Sequence, residues 1–235
     1  MQLKAILFDL DDTLYSSFQQ GAQEGFARCG QYAQEHLGVS DFSVRMQQAR
    51  LAIAARLPGE PEIHDRALWA QYALESLGIN PIPHIEALDR IYWQGVLAHT
   101  HLRQGVLELF SDLHAHNIRI GVCTNMLVGV QTRKLLHLGI ADQIDFLVTS
   151  EEAGKDKPHP AMFALALQKA ECQPAQALMV GDSFEHDIRG AHSAGIFGLW
   201  LHVHQNVAPI TADFDFLESP DFQHAADQIR AGFLK

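Results

Sequence analysis

Asp9, Asp11 and Asp12 fall within four positions, directly after the apolar run Ala5-Ile6-Leu7-Phe8. A run this short and this apolar predicts a strand buried on both faces of a parallel sheet. Carboxylates where such a strand ends are costly unless something cationic holds them. Their oxygens suit a hard divalent cation, and open α/β sheets bind their ligands beyond the carboxyl ends of the strands. Asp9 and Asp11 are therefore the first site candidates, whereas Asp12 reads as a turn or capping residue. Three more polar groups follow apolar runs in the same way. They are Thr124 with Asn125, Lys157, and Asp182 with Asp187.

The elements that must position these residues alternate. Strands are predicted over 5–8, 119–123, 146–148, 177–180 and 197–201, with a short one over 214–217. Helices are predicted around 106–113 and over 127–137, 161–169, 188–194 and 223–233. This order implies βαβ units and a doubly wound parallel sheet with helices on both faces. Residues 16–100 break the alternation, since no convincing strand occurs there. Breakers at Gly38, Pro58-Gly59-Glu60-Pro61 and 78–83 divide that stretch into helices near 17–37, 41–56, 62–77 and 84–98. The expected organisation is an α/β core from 1–15 and 101–235, with a smaller all-helical domain of 16–100 inserted into it.

Composition narrows the function. The net charge of −11 over 235 residues argues against an electrostatic hold on a nucleic acid polymer or an anionic membrane. A small anionic metabolite is still allowed, because a site can be locally positive. Cys29, Cys123 and Cys172 are odd in number and widely spaced, and read as reduced thiols of a cytoplasmic protein. No signal peptide and no membrane-length apolar run is expected. Monomer and homodimer are both compatible with these features. Histidine pairs at i, i+2, such as His99/His101, His114/His116 and His202/His204, do not share a helix face and are not read as a zinc site.

Taken together, DLDDT at 9–13, CTN at 123–125, KP at 157–158 and GDSFEHD at 181–187 resemble the haloacid dehalogenase superfamily, most of whose members are Mg²⁺-dependent phosphatases. The family places helical caps between its first and second motifs, where 16–100 lies. The resemblance implies Asp9 as the nucleophile that forms an aspartyl phosphate. It implies Asp11 as the acid and base that serves the leaving oxygen and then the water. Mg²⁺ would be held by Asp9, the Asp11 carbonyl and Asp182. Lys157 would set a positive charge against Asp9 and the phosphoryl oxygens. Thr124 and Asn125 would bind those oxygens too, while Asp187 would orient Lys157 or a metal-bound water. A mobile cap with hinges near 15–17 and 100–104 is the expected device for controlling water.

The same resemblance bears on the substrate. The segments FLVTSEEAGKDKP and LMVGDSFEHDI, with the later LWL, look like the bacterial 5′-nucleotidase branch, which hydrolyses nucleoside 5′-monophosphates. Phosphoglycolate and sugar phosphates stay open as substrates, and so does a phosphomutase using the same intermediate. Dehalogenation is disfavoured, since that branch lacks an aspartate at the position of Asp11. A non-catalytic phosphate-binding regulator would be expected to have lost the nucleophile, the acid or the lysine, and all three are present.

Overall fold

The computed structural model describes residues 3–203 and 212–234. The chain divides into two compact units, one running up to Ser16 and again from His101 onward, the other Ser17–Thr100.

The second unit is helical: α1 Phe18–Leu37, α2 Phe42–Arg56, α3 Arg66–Glu75 and α4 Ile85–Leu97. Its aromatic core centres on Phe26, which stacks on Trp69 at 6.0 Å and meets the edge of Tyr92 at 5.3 Å. The buried Arg66 lays its guanidinium over Trp69 and Trp93, at 4.3 and 4.5 Å from the ring centres, a cation–π arrangement that replaces lost water. Helices α1 and α4 touch backbone to backbone. A Cβ on Gly95 would stand 2.7 Å from the Gly25 Cα, so the approach depends on glycine. The third helix is shorter than the 62–77 expected. Pro61–His64 winds as a 3₁₀ turn, and Asp65 then starts α3 by accepting the backbone N–H groups of Ala67 and Leu68.

The first unit is the α/β core. In chain order it contains β1 Ala5–Phe8, β2 Tyr15–Ser16, β3 His101–Leu102, α5 Val106–Ala115, β4 Arg119–Thr124, α6 Val128–His137 and β5 Phe146–Thr149. There follow α7 Ser150–Ala153, α8 Pro160–Ala170, β6 Ala177–Gly181, α9 Gly190–Ser193, β7 Phe197–Leu201, β8 Leu217–Ser219 and α10 Phe222–Phe233. Six strands form one all-parallel sheet in the order β5-β4-β1-β6-β7-β8. All four β1 side chains are buried, as two-sided coverage requires. Leu7 joins Val148, Met162, Phe163 and Met179 on one face, whereas Phe8 packs against Phe110 of α5 and Phe222 of α10 on the other. Each buried side chain of this size contributes about 1.5–3 kcal/mol.

Register places the site. Phe8 pairs with Val122 of β4 and with Val180 of β6. The residues just beyond each therefore emerge along one edge of the sheet. The chain runs from β1 out to β4 and β5 on one side and returns to β6, β7 and β8 on the other. β1 is thus the switch point where such sheets open a crevice.

Three further details, all in the α/β unit, differ from the expectation. Residues 15–16 and 101–102 are not plain connections but pair as a two-stranded antiparallel ribbon, β2 with β3. The last strand begins at Leu217 rather than 214, because Phe214 and Phe216 pack against Phe184 in an aromatic cluster instead. The helix expected over 188–194 begins earlier, as a π-helical turn Phe184–Arg189 that leads into α9. Among the described residues, no helix is long and apolar enough to cross a membrane.

The α1–α4 contact yields a stability prediction. Gly95→Ala gives a better helix former but forces a methyl group into backbone. The clash should win and destabilise the protein by about 1–3 kcal/mol, read as a lower urea midpoint.

Candidate active site

Lys157 is the hub of the strand ends. Its ammonium is buried and donates to three oxygens, as its three hydrogens allow. The acceptors are Asp187 Oδ1 at 2.5 Å, Asp9 Oδ1 at 2.7 Å and the Cys123 carbonyl at 2.8 Å. The loop carrying it is fixed by Asn125, whose Oδ1 accepts the Lys157 backbone N–H at 2.8 Å.

Each acid is positioned by its own element. Asp9 extends β1, and its N–H donates to the Val180 carbonyl at 2.9 Å. Asp182 follows β6, where its N–H donates to Thr13 Oγ1 at 3.0 Å, and the Thr13 hydroxyl lies 3.2 Å from Asp182 Oδ1. The Trp200 indole N–H donates to the Asp182 carbonyl at 2.8 Å. Asp187 sits on the π-helical turn, a feature often found at functional sites, and its Oδ2 accepts the Ser183 N–H at 3.0 Å. It lies so close to β6 that a Cβ on Gly181 would fall 2.3 Å from the Asp187 Cγ. Asp9, Asp182 and Asp187 each offer an oxygen within 4.8 Å of the others. Among the described residues no such metal-sized group includes a histidine, and His204 lies outside the described residues.

Asp11 faces a different set of donors. Lys134 Nζ donates to its Oδ1 at 2.5 Å, the Tyr15 hydroxyl donates to the same oxygen, and Gln131 Nε2 donates to Oδ2 at 3.0 Å. Gln131 Nε2 also reaches Thr124 Oγ1 and the Asn125 carbonyl, both at 2.8 Å, while the Thr124 hydroxyl donates to that carbonyl at 3.2 Å. The structure thus brings together all seven residues singled out in the sequence.

It adds Lys134, Gln131, Tyr15 and Thr13, which the sequence reading left out. A signal for two of them existed. Gln131, Lys134 and Leu135 stand at i, i+3 and i+4 and are all buried, so two polar residues occupy the apolar stripe of α6.

Electrostatics separates the two aspartates. Burial pushes the Asp9 carboxyl well above the usual range. Lys157 opposes this, but Asp187, Asp182 and Asp11 reinforce it. Burial acts on Asp11 in the same direction, yet the charge and hydrogen bond of Lys134, with those of Tyr15 and Gln131, outweigh it and hold Asp11 below the usual range. Lys157 is raised: burial opposes its charge, but Asp187 and Asp9 overcome it. Burial beside Asp11 also raises the Tyr15 phenol. The Cys123 thiol is pushed up to about 12, mainly by burial, so it is an inert core group.

Comparison with known proteins agrees with this geometry. The sequence matches the haloacid dehalogenase-like hydrolase family over residues 3–195. It is 35% identical to the ribulose-1,5-bisphosphate 5-phosphatase of Halopiger xanaduensis, over 82% of both chains. It is 39% identical to the pyrimidine 5′-nucleotidase YjjG of Escherichia coli, over 45% of this chain and 47% of that one. The crystal structure of a 2-haloacid dehalogenase from Pseudomonas syringae superposes with a TM-score of 0.76 at 22% identity, covering 98% of this chain and 99% of that one, which speaks to the fold alone. The chain belongs to the haloacid dehalogenase-like hydrolase family. Within it the chain is a phosphoric monoester hydrolase, a phosphatase of small phosphorylated substrates.

The raised pKa of Asp9 sets a pH-dependent stability. Without a bound cation the folded protein keeps a proton on Asp9 up to a higher pH than the unfolded chain does. The resulting stabilisation is complete below the ordinary carboxylate range and is lost as pH rises through the raised value. In metal-free protein at neutral pH, Asp9→Asn should therefore raise the melting temperature. The gain should shrink as the pH is lowered, which thermal denaturation in chelator at several pH values will read.

Proposed function

We propose that this enzyme hydrolyses phosphomonoesters through an aspartyl phosphate on Asp9, with Mg²⁺ as cofactor. We further propose that its substrates are sugar phosphates esterified at a primary carbon, with nucleoside 5′-monophosphates as the leading class. The single observation that carries the mechanism is the buried Lys157 ammonium shared between Asp9 and Asp187.

That ammonium holds the Asp9 carboxylate in place and adds positive charge where phosphoryl oxygens gather. Asp9 attacks phosphorus and splits one hard displacement into two easier ones. Asp11 gives a proton to the leaving oxygen and afterwards takes one from the attacking water. A phosphate dianion brought beside Asp11 repels its charge and so favours its protonated form. Dehalogenation would need no such acid, and Asp11 is the reason it is set aside.

Mg²⁺ fits the donor set. Four carboxylates (Asp9, Asp11, Asp182 and Asp187) face two lysines (Lys134 and Lys157), leaving two negative charges for one divalent cation. Both oxygens of Asp187 are engaged, by Lys157 and the Ser183 N–H, which leaves Asp9 and Asp182 of this cluster to hold the cation, with the Asp11 carbonyl as the family resemblance implies. When bound, Mg²⁺ offsets the repulsion between these carboxylates and the substrate phosphate.

The substrate class rests on the two named relatives, which take a 5-phosphate from a pentose and a 5′-phosphate from nucleotides. We also propose that the helical unit, Ser17–Thr100, acts as the cap and selects the group beyond the phosphate. The 197-residue alignment with the ribulose bisphosphate phosphatase is longer than the α/β unit alone, so that likeness extends into the helices.

Phosphate release from a panel tests these statements. UMP, ribulose 1,5-bisphosphate and ribose 5-phosphate should be turned over faster than phosphoglycolate or nitrophenyl phosphate. Chelator should abolish release, Mg²⁺ should restore it, and Ca²⁺ should do so poorly, because it prefers more ligands at longer distances. Asp9→Asn should remove activity on every ester while leaving the circular dichroism spectrum unchanged. A panel ranked the other way would overturn the substrate class, and turnover by Asp9→Asn would overturn the mechanism.

A further inference from the structure

Asp11 is gripped unevenly. Its Oδ1 accepts from two donors, Lys134 and Tyr15. Among the described residues its Oδ2 is served by Gln131 Nε2 alone, at 3.0 Å. That nitrogen lies closer to Thr124 Oγ1 and to the Asn125 carbonyl, each at 2.8 Å. An amide NH₂ carries two hydrogens. Three acceptors therefore compete for them, and Oδ2 is the most distant.

The amide cannot turn over to relieve this. A flip would set Gln131 Oε1 against a carboxylate oxygen and a carbonyl oxygen, both acceptors. In the present orientation Oε1 is buried without a hydrogen-bond partner among the described residues, an arrangement that costs about 1–3 kcal/mol. Gln131 and Lys134 are both fully buried, one helical turn apart on α6. A fold that keeps a buried ammonium and an incompletely satisfied amide on one carboxylate needs a reason beyond packing.

We infer that Lys134, Tyr15 and Gln131 are positioning residues: Lys134 and Tyr15 clamp Asp11 through Oδ1, and Gln131 leaves Oδ2 as the oxygen that carries protons to and from the reacting atoms. The inference rests on the phosphatase reading above. As Asp9 Oδ bonds to phosphorus, the bond from phosphorus to the leaving oxygen breaks, and its electron pair takes the proton from Asp11 Oδ2. Water oxygen then bonds to phosphorus and gives a proton to the same Oδ2. The bond from phosphorus to Asp9 breaks, freeing phosphate and restoring both carboxyl groups. Throughout, Oδ1 stays pinned, so the proton is delivered from one fixed place.

The test is the dependence of kcat/KM on the leaving group. This parameter covers steps up to departure of the leaving group, so hydrolysis of the aspartyl phosphate does not enter. Nitrophenyl phosphate needs little help from an acid, whereas an alkyl phosphate needs a full proton. Lys134→Met, Gln131→Met and Tyr15→Phe are compared with wild type and with Asp11→Asn across such a series. Each positioning variant should lose about ten- to a hundredfold on alkyl esters, a part of the usual contribution of general acid catalysis, and less than about threefold on nitrophenyl phosphate. A merely structural role would lower all esters alike, and that result would overturn the inference. Should Lys134→Met fail to fold, Tyr15→Phe and Gln131→Met decide, since each removes a neutral group. If Asp11→Asn is itself indifferent to the leaving group, the acid role of Asp11 fails and takes the inference with it. If Asp11→Asn is selective and the positioning variants are not, the inference alone falls.

Discussion

Negative charge crowded at the ends of buried strands is the constraint that the core obeys. Asp9, Asp182 and Asp187 offer oxygens within 4.8 Å of one another, in surroundings where burial already disfavours ionisation. A buried charge lacking a partner is among the costliest features a fold can carry. The Lys157 ammonium offsets part of that cost by bonding two of the acids and a carbonyl at once. Much of the local structure serves this one contact. Asn125 holds the Lys157 loop, the π-helical turn brings Asp187 inward, and the absent side chain of Gly181 makes room for it. Lys134 does more for Asp11 than Lys157 does for Asp9: with Tyr15 and Gln131 it outweighs burial, which Lys157 only opposes.

The strand ends were legible because parallel strands buried on both faces read as short apolar runs, and a polar residue just beyond each run stands out. The sheet follows from the same runs, and the helical unit from the absence of strands over 16–100. Other features were hidden for identifiable reasons. Residues 15–16 and 101–102 form the antiparallel ribbon from two residues each, too few for any period to show. The π-helical turn depends on backbone hydrogen bonding that no side-chain pattern reports. Phe214 and Phe216 read as a strand, but ring packing against Phe184 took precedence over pairing. Gln131 and Lys134 read as ordinary polar helix positions, and only their coincidence with the buried stripe marks them.

The chemistry is confined to one of the two units. Every side chain assigned to bond making lies in the α/β unit, on strand ends or in the loops and turns that follow them. The aromatic core of the helical unit contributes none of them, and is instead built for rigidity around Phe26 and the buried Arg66. The strand ends therefore speak to the class of reaction rather than to the ester.

The central claim is that Asp9 itself carries the phosphoryl group. Quenching the enzyme with acid during steady turnover, reducing with borohydride and sequencing the peptides by mass spectrometry would test it most directly. An aspartyl phosphate at position 9 would be reduced to homoserine there, and at no other acid. Turnover that leaves Asp9 unmodified, or that places homoserine at Asp11 or Asp182, would contradict the account.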